Sequence, residues 1–267
     1  MAFFHGVRVK EVPTSILPPV NTTAGLPVVF GTAPVHLTAD PAKNVNRPVI
    51  CYGWNEAVAA LGYSENWDEY TLSEVMYAQF KLYGVKPIIF VNVLDPAKHK
   101  AEIKDTDGCT VTEGRVVLDD PVLIASLKVK ASAAAEPAKN LTDYTAAYDD
   151  EGRLVISITS TGALKNADKL YLEYTKIDPS KVKDADIIGG ASKTGTAGLE
   201  WLDSIYTLFS LVPGIVAAPG WSDHPSVAAV MKAKAMNISG LFRCICLTDV
   251  DTGAVKHYSD VNEWKNK

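Results

Sequence analysis

The chain has 267 residues, 47% apolar and 21% charged, with a formal net charge of −5. That balance argues against a nucleic-acid groove, which shows as a basic stripe; pairs such as Lys128 and Lys130 or Lys232 and Lys234 read as solvated faces. No stretch approaches the ~20 apolar residues of a membrane helix, and Met1-Ala2-Phe3-Phe4-His5 lacks the basic head and apolar run of a signal peptide.

Residues 3–12 alternate briefly, with Val7 and Val9 on one face and Arg8 and Lys10 on the other, and have no hairpin partner close by. Pro13, Pro18 and Pro19 hold the next segment extended and without a continuous donor ladder. Residues 1–23 therefore read as an extended arm or as an edge strand folded back on its own sheet. Residues 26–34 form a short apolar strand ending in a turn, and residues 47–51 a second one. Asn55 suits a helix cap and Gly62 its stop. Thr71-Leu72-Ser73-Glu74 has capping-box spacing. Behind it Leu72, Val75, Met76, Phe80 and Tyr83 repeat at helical period, and Gly84 ends the helix.

The stretch 83–96 carries apolar residues on both parities, the mark of an interior strand covered on both faces. A parallel neighbour requires a crossover helix next. Short strand candidates follow instead, at 109–111, 115–118, 127–130, 144–148, 154–159 and 169–174, separated by turn chemistry such as Glu113-Gly114 and Asp149-Asp150-Glu151-Gly152. All five tryptophans lie outside this stretch. The helix-to-strand pattern returns with Leu199, Leu202, Ile205, Tyr206 and Phe209, then a strand at 215–218. Asp223 or His224 caps a helix with Pro225 in its first turn, its buried face formed by Val227, Val230, Met231, Ala235 and Ile238. Residues 241–247 read as another interior strand. The fold class is α/β, with α+β as the alternative: a helix-flanked mixed sheet interrupted by a small all-β domain. The boundaries are an arm at 1–23, a first core part at 24–96, an inserted β-sandwich or β-barrel at 97–185, and a second core part at 186–267.

Four stretches approach catalytic chemistry, and each fails at a needed residue. Gly190 to Gly195 has the glycine spacing of a phosphate loop, but Thr196 and Ala197 stand where Lys and Ser/Thr are required. Gly220-Trp221-Ser222-Asp223-His224 resembles a nucleophile elbow with His224 in place of the final glycine. Asp249 and Asp251 follow a strand as an acidic metal site would. Cys244 and Cys246 share one face, without the further ligands zinc wants. No catalytic, cofactor or metal residue is assigned. A doubly wound enzyme handling nucleotides or phosphates stays as the alternative, and the pairs Tyr144/Tyr148 and Tyr171/Tyr174 leave room for a glycan-binding insert.

The opening Phe4-His5-Gly6-Val7-Arg8-Val9-Lys10-Glu11-Val12, followed by Val28-Val29-Phe30-Gly31-Thr32-Ala33-Pro34, resembles contractile phage tail sheath proteins. So do Pro48-Val49-Ile50, Gly62, the stretch 83–95, Asp186-Ile187-Ile188-Gly189-Gly190, Gly198-Leu199 and Pro219-Gly220-Trp221. The related sheaths of phage-tail-like bacteriocins and contractile injection systems belong to the same family. The resemblance implies a structural, non-enzymatic subunit of the virion tail, assembled in the bacterial host cytoplasm. It implies hexameric rings of identical copies stacked around an inner tail tube, with baseplate and tail terminator proteins as further partners, no nucleic acid, no membrane insertion and no cofactor. It also implies that Val7, Arg8, Val9, Lys10, Glu11 and Val12 form an inter-subunit arm that adds a strand to another copy's sheet. Chains of that family generally run longer, so the resemblance implies that this chain is a natural short form or a truncated one.

Overall fold

The computed structural model describes residues 25–192 and 195–265. The arm residues Val7 to Val12 lie outside the described residues.

β1 (Pro27–Gly31) and β2 (Pro48–Cys51) are followed by α1 (Trp54–Leu61) and α2 (Thr71–Met76), which widens into a π-helix over Tyr77–Tyr83. β3 (Ile88–Asn92) comes next, and all five of its residues are buried. The middle of the chain then supplies β4 (Lys100–Lys104), β5 (Cys109–Thr110), β6 (Arg115–Leu118), β7 (Lys128–Lys130), β8 (Tyr144–Tyr148), β9 (Leu154–Ile158) and β10 (Lys169–Ile177). After α3 (Asp184–Ile188) come β11 (Gly190–Ser192) and β12 (Gly195–Ala197), a 3-10 stretch over Gly198–Ser204 running into α4 (Ile205–Phe209), β13 (Ile215–Ala217), α5 (Pro225–Met236), β14 (Ile245–Leu247) and α6 (Val261–Lys265).

The main sheet has the order β14-β13-β1-β3-β2. Its first four strands are mutually parallel and β2 runs antiparallel to β3. β3 is thus interior, as its two-sided apolar pattern requires. The β4–β10 stretch is antiparallel throughout: β10 pairs in turn with β5, β7 and β4, and β9 lies between β6 and β8. Buried apolar side chains fall into two clusters. One is built on Phe30, Phe90, Leu72, Met76 and Met231. The other is built on Val129, Leu154, Ile156, Leu170 and Leu172.

Four local expectations are corrected. Asn55 lies inside α1, whose cap is Gly53; the Tyr52 amide donates to Glu56 Oε2 at 2.7 Å instead. Thr71 is the first residue of α2 rather than its cap, because its hydroxyl is committed to the main sheet. Tyr83 leaves the apolar face, since the wider π-turn advances the phase of the last residues. The strand expected at 241–247 is the short edge strand β14, not an interior one. Its register partners place Ile245 and Leu247 on the same face as Ile215 and Ala217, and Ile245 and Leu247 are exposed.

The carboxyl ends of β1 and β3 are joined by side chains. Asn92, fully buried, accepts from the Ala33 and Leu94 amides through Oδ1, each at 3.0 Å, and its Nδ2 donates to the Leu94 carbonyl at 3.1 Å. Thr32 and Thr71 exchange bonds, each backbone N–H donating to the other's hydroxyl, at 3.3 and 3.2 Å. Gly31 is required there, because a Cβ would lie 2.4 Å from Thr71 Oγ1. Replacing Asn92 with Leu keeps the volume but removes the acceptor from two buried amides at about 1–3 kcal/mol each. A loss of roughly 2–6 kcal/mol is expected by urea denaturation, with an unchanged slope.

Candidate assembly surfaces and the root of the middle strands

The chain leaves the main sheet through Asp95-Pro96 and returns through Asp178-Pro179, and polar contacts clasp these two passages. His99 is buried, and its Nδ1 accepts from the Asp95 amide at 2.9 Å. In the neutral ring the proton therefore sits on Nε2, which lies 3.4 Å from Asp186 Oδ2. The His99 carbonyl accepts from the Asp178 amide at 2.9 Å. Lys98 pairs with the other Asp186 oxygen, and the Lys183 amide donates to Oδ2 at 2.8 Å. Burial pushes the Asp186 carboxyl up, but these donors and the nearby charges hold it below the usual carboxylate range. For His99 burial outweighs the pull of Asp186, and its pKa lies below the ordinary value.

α3 is held on its other side by the start of α5. Asp184 accepts from the Ser226 hydroxyl at 2.6 Å, and its second oxygen lies 2.6 Å from His224 Nδ1. That hydrogen bond raises the His224 pKa. One short acidic helix thus links the β4–β10 root to the last parallel layer.

A second seam runs between the loop after β1 and the middle strands. The His36 ring packs against Tyr148 of β8 at 5.5 Å and against Tyr70 at 5.9 Å. Its Nδ1 is buried without a hydrogen-bond partner, and burial pushes its pKa down to about 4. The Tyr148 hydroxyl donates to the Val122 carbonyl. Sequence reasoning missed His36 and His99, because neither falls in a spacing that signals a site; each is placed by a turn that only the tertiary fold brings to the seam.

The stretches that approached catalytic chemistry are occupied otherwise. Ser222 is buried, and its hydroxyl donates to Asp249 Oδ2 at 2.9 Å while accepting from the Asp249 amide at 2.8 Å. The same Oδ2 accepts from the Gly220 amide at 2.8 Å, so Asp249 staples the turn before α5 to the end of β14. His224 faces Asp184, not Ser222. Asp251 accepts from the Gly253 and Ala254 amides, as in a local turn. Gly190–Ser192 pairs antiparallel with Gly195–Ala197, and Lys193 lies outside the described residues. Burial raises the Cys244 thiol to about 11. Among the described residues, no three His, Cys, Asp or Glu side chains are grouped to hold a metal ion, and no helix is long and apolar enough to cross a membrane.

No protein-family model matches the chain. Its sequence is 27% identical over 245 residues to the tail sheath protein of Burkholderia phage BcepMu, a match covering 90% of this chain and 48% of that protein. The chain is similar to a tail sheath protein along nearly all its length, in agreement with the resemblance read from its motifs, and spans about half the length of the curated relative it matches.

The buried His36 sets a pH dependence. Below its ordinary value of 6.5 the unfolded chain takes up a proton that the folded chain refuses down to about 4, so stability falls as pH drops through that window. At 1.36 kcal/mol per pKa unit, about 2 kcal/mol is lost between pH 6.5 and 5. His99 acts in the same direction and His224 in the opposite one. Denaturant titrations at pH 7 and pH 5 should show that fall in the unsubstituted protein, and one smaller by about 2 kcal/mol in a His36→Leu variant.

Proposed function

We propose that the chain is a structural subunit of a contractile tail sheath, part of a virion tail rather than an enzyme. The observation that carries this reading is the match to a phage tail sheath protein across 90% of the chain. On this reading copies of the chain stack as hexameric rings around an inner tail tube, meet baseplate and terminator proteins at the two ends, and drive the tube through a bacterial envelope by contraction. Residues 97–185 act as an inserted domain whose root is the His99–Asp186 clasp. Residues 1–23 act as the arm that joins neighbouring copies.

The energetics of such an arm suit a tether. Ordering six residues costs about 6–12 kcal/mol. Roughly five ladder hydrogen bonds contribute ~1 kcal/mol each, and three buried valines ~1.5 kcal/mol each. The balance lies near zero, so the arm orders when a neighbour offers a sheet edge and adds strength only through repetition. The enzyme reading has less support, because Ser222, Asp249 and Asp251 are engaged in turns.

Electron microscopy of the assembled protein should show hollow, striated cylinders. Val9→Pro removes a ladder donor from the arm and should shorten or abolish them. Cylinders of normal length from that variant would count against the arm, and a protein that forms none under any condition would count against the sheath reading.

A further inference from the structure

Beside His36 opens a cleft of about 740 Å3. Its walls come from the loop after β1 (Leu37, Pro41), the exit from β3 (Pro96, Ala97) and the middle segment (Ile124, Tyr148). The volume is that of an ordinary binding cleft, mostly apolar with few polar points. His36, with 7% of its surface exposed, is one of these points, and its Nδ1 has no partner within the protein. A buried polar atom without a partner is costly, and such atoms in native proteins call for an explanation.

The opposite end of the same strand carries an exposed apolar segment. Just before β3 the chain bulges out through Leu82, Tyr83, Gly84 and Val85, where Leu82 is 60% exposed, Tyr83 73% and Val85 40%. Gly84 holds the left-handed conformation that turns this loop outward, with φ of 63°. Three large apolar side chains in four consecutive exposed positions are not a scattered surface feature. β3 spans five residues, about 17 Å, with this knob before its first residue and the cleft after its last.

We propose that the Leu82–Val85 knob of one copy seats in the His36 cleft of the next, making a head-to-tail contact along the strand direction. The partner is a second copy of this chain, which deepens the sheath reading and rests on it. A knob and a hole at opposite ends of one molecule generate a ring or an open helix, according to whether the rotation closes. The charges are of opposite sign at the two surfaces. Lys86, exposed just after the knob, meets a cleft whose rim carries the exposed carboxylate of Asp40. Burying the knob also removes the exposed apolar surface that nothing among the described residues covers.

The test uses the whole chain. Tyr83→Cys and Ala125→Cys each place a thiol on an exposed position, one on the knob and one on the cleft rim. Mixed and oxidised, the two variants should give a disulfide-linked dimer that neither gives alone. Separately, sedimentation velocity should show concentration-dependent association weakened at least tenfold by Tyr83→Asp and likewise by Ala97→Trp, which fills the cleft. A mixture yielding no more dimer than the single variants, or Tyr83→Asp protein associating like the unsubstituted chain, would overturn the contact. Striated cylinders of normal length from Tyr83→Asp protein would also overturn it, while leaving the sheath reading in place.

Discussion

The Asn92 side chain is the constraint on which the rest of the structure depends. A strand that leaves a parallel sheet for a long antiparallel excursion must end at a defined point, because the backbone groups past that point lose their ladder partners while still buried. Asn92 supplies the missing partners. One oxygen serves the amides of Ala33 and Leu94, and the amide group holds the Leu94 carbonyl. The Thr32–Thr71 exchange does the same for the end of β1 and ties α2 to it. Each pair closes a long loop, since the residues joined are 59 and 39 apart in sequence.

From that fixed exit the middle strands inherit their orientation. Asp95 turns back on His99, His99 receives the returning chain through Asp178, and Asp186 receives His99 and Lys98 together. The root is therefore polar and local, while the two apolar clusters on either side of it are separate. The same exit forms part of the cleft wall through Pro96 and Ala97. Structure at the end of β3 thus sets both how the excursion is anchored and one wall of the cleft beside His36.

Much of this was legible in the sequence, for physical reasons that can be traced. The two-sided apolar run of β3 announced burial on both faces, and Ile88 to Asn92 are buried without exception. The turn-separated runs at 115–118 and 144–148 are the strands β6 and β8 to the residue, because alternation over a half-buried surface is a strong local signal. β4 was missed although Lys100 to Lys104 alternates strictly, because its only apolar positions, Ala101 and Ile103, are few and only partly buried. The 241–247 run was misplaced because composition reports apolar character, not which strands flank it. Asn92, His36 and His99 could not have been found by spacing. Their partners come from residues brought near by sheet pairing and turns, which no local window contains.

The measurement that bears most directly on the central constraint is native-state amide hydrogen exchange at Ala33 and Leu94. Both amides lie beyond the ends of their strands, where loop amides exchange through small local openings. If Asn92 closes the sheet as described, both should exchange only through global unfolding, with protection equal to that of Phe30 and Phe90. Exchange at loop rates, with Phe30 and Phe90 still protected, would contradict the account.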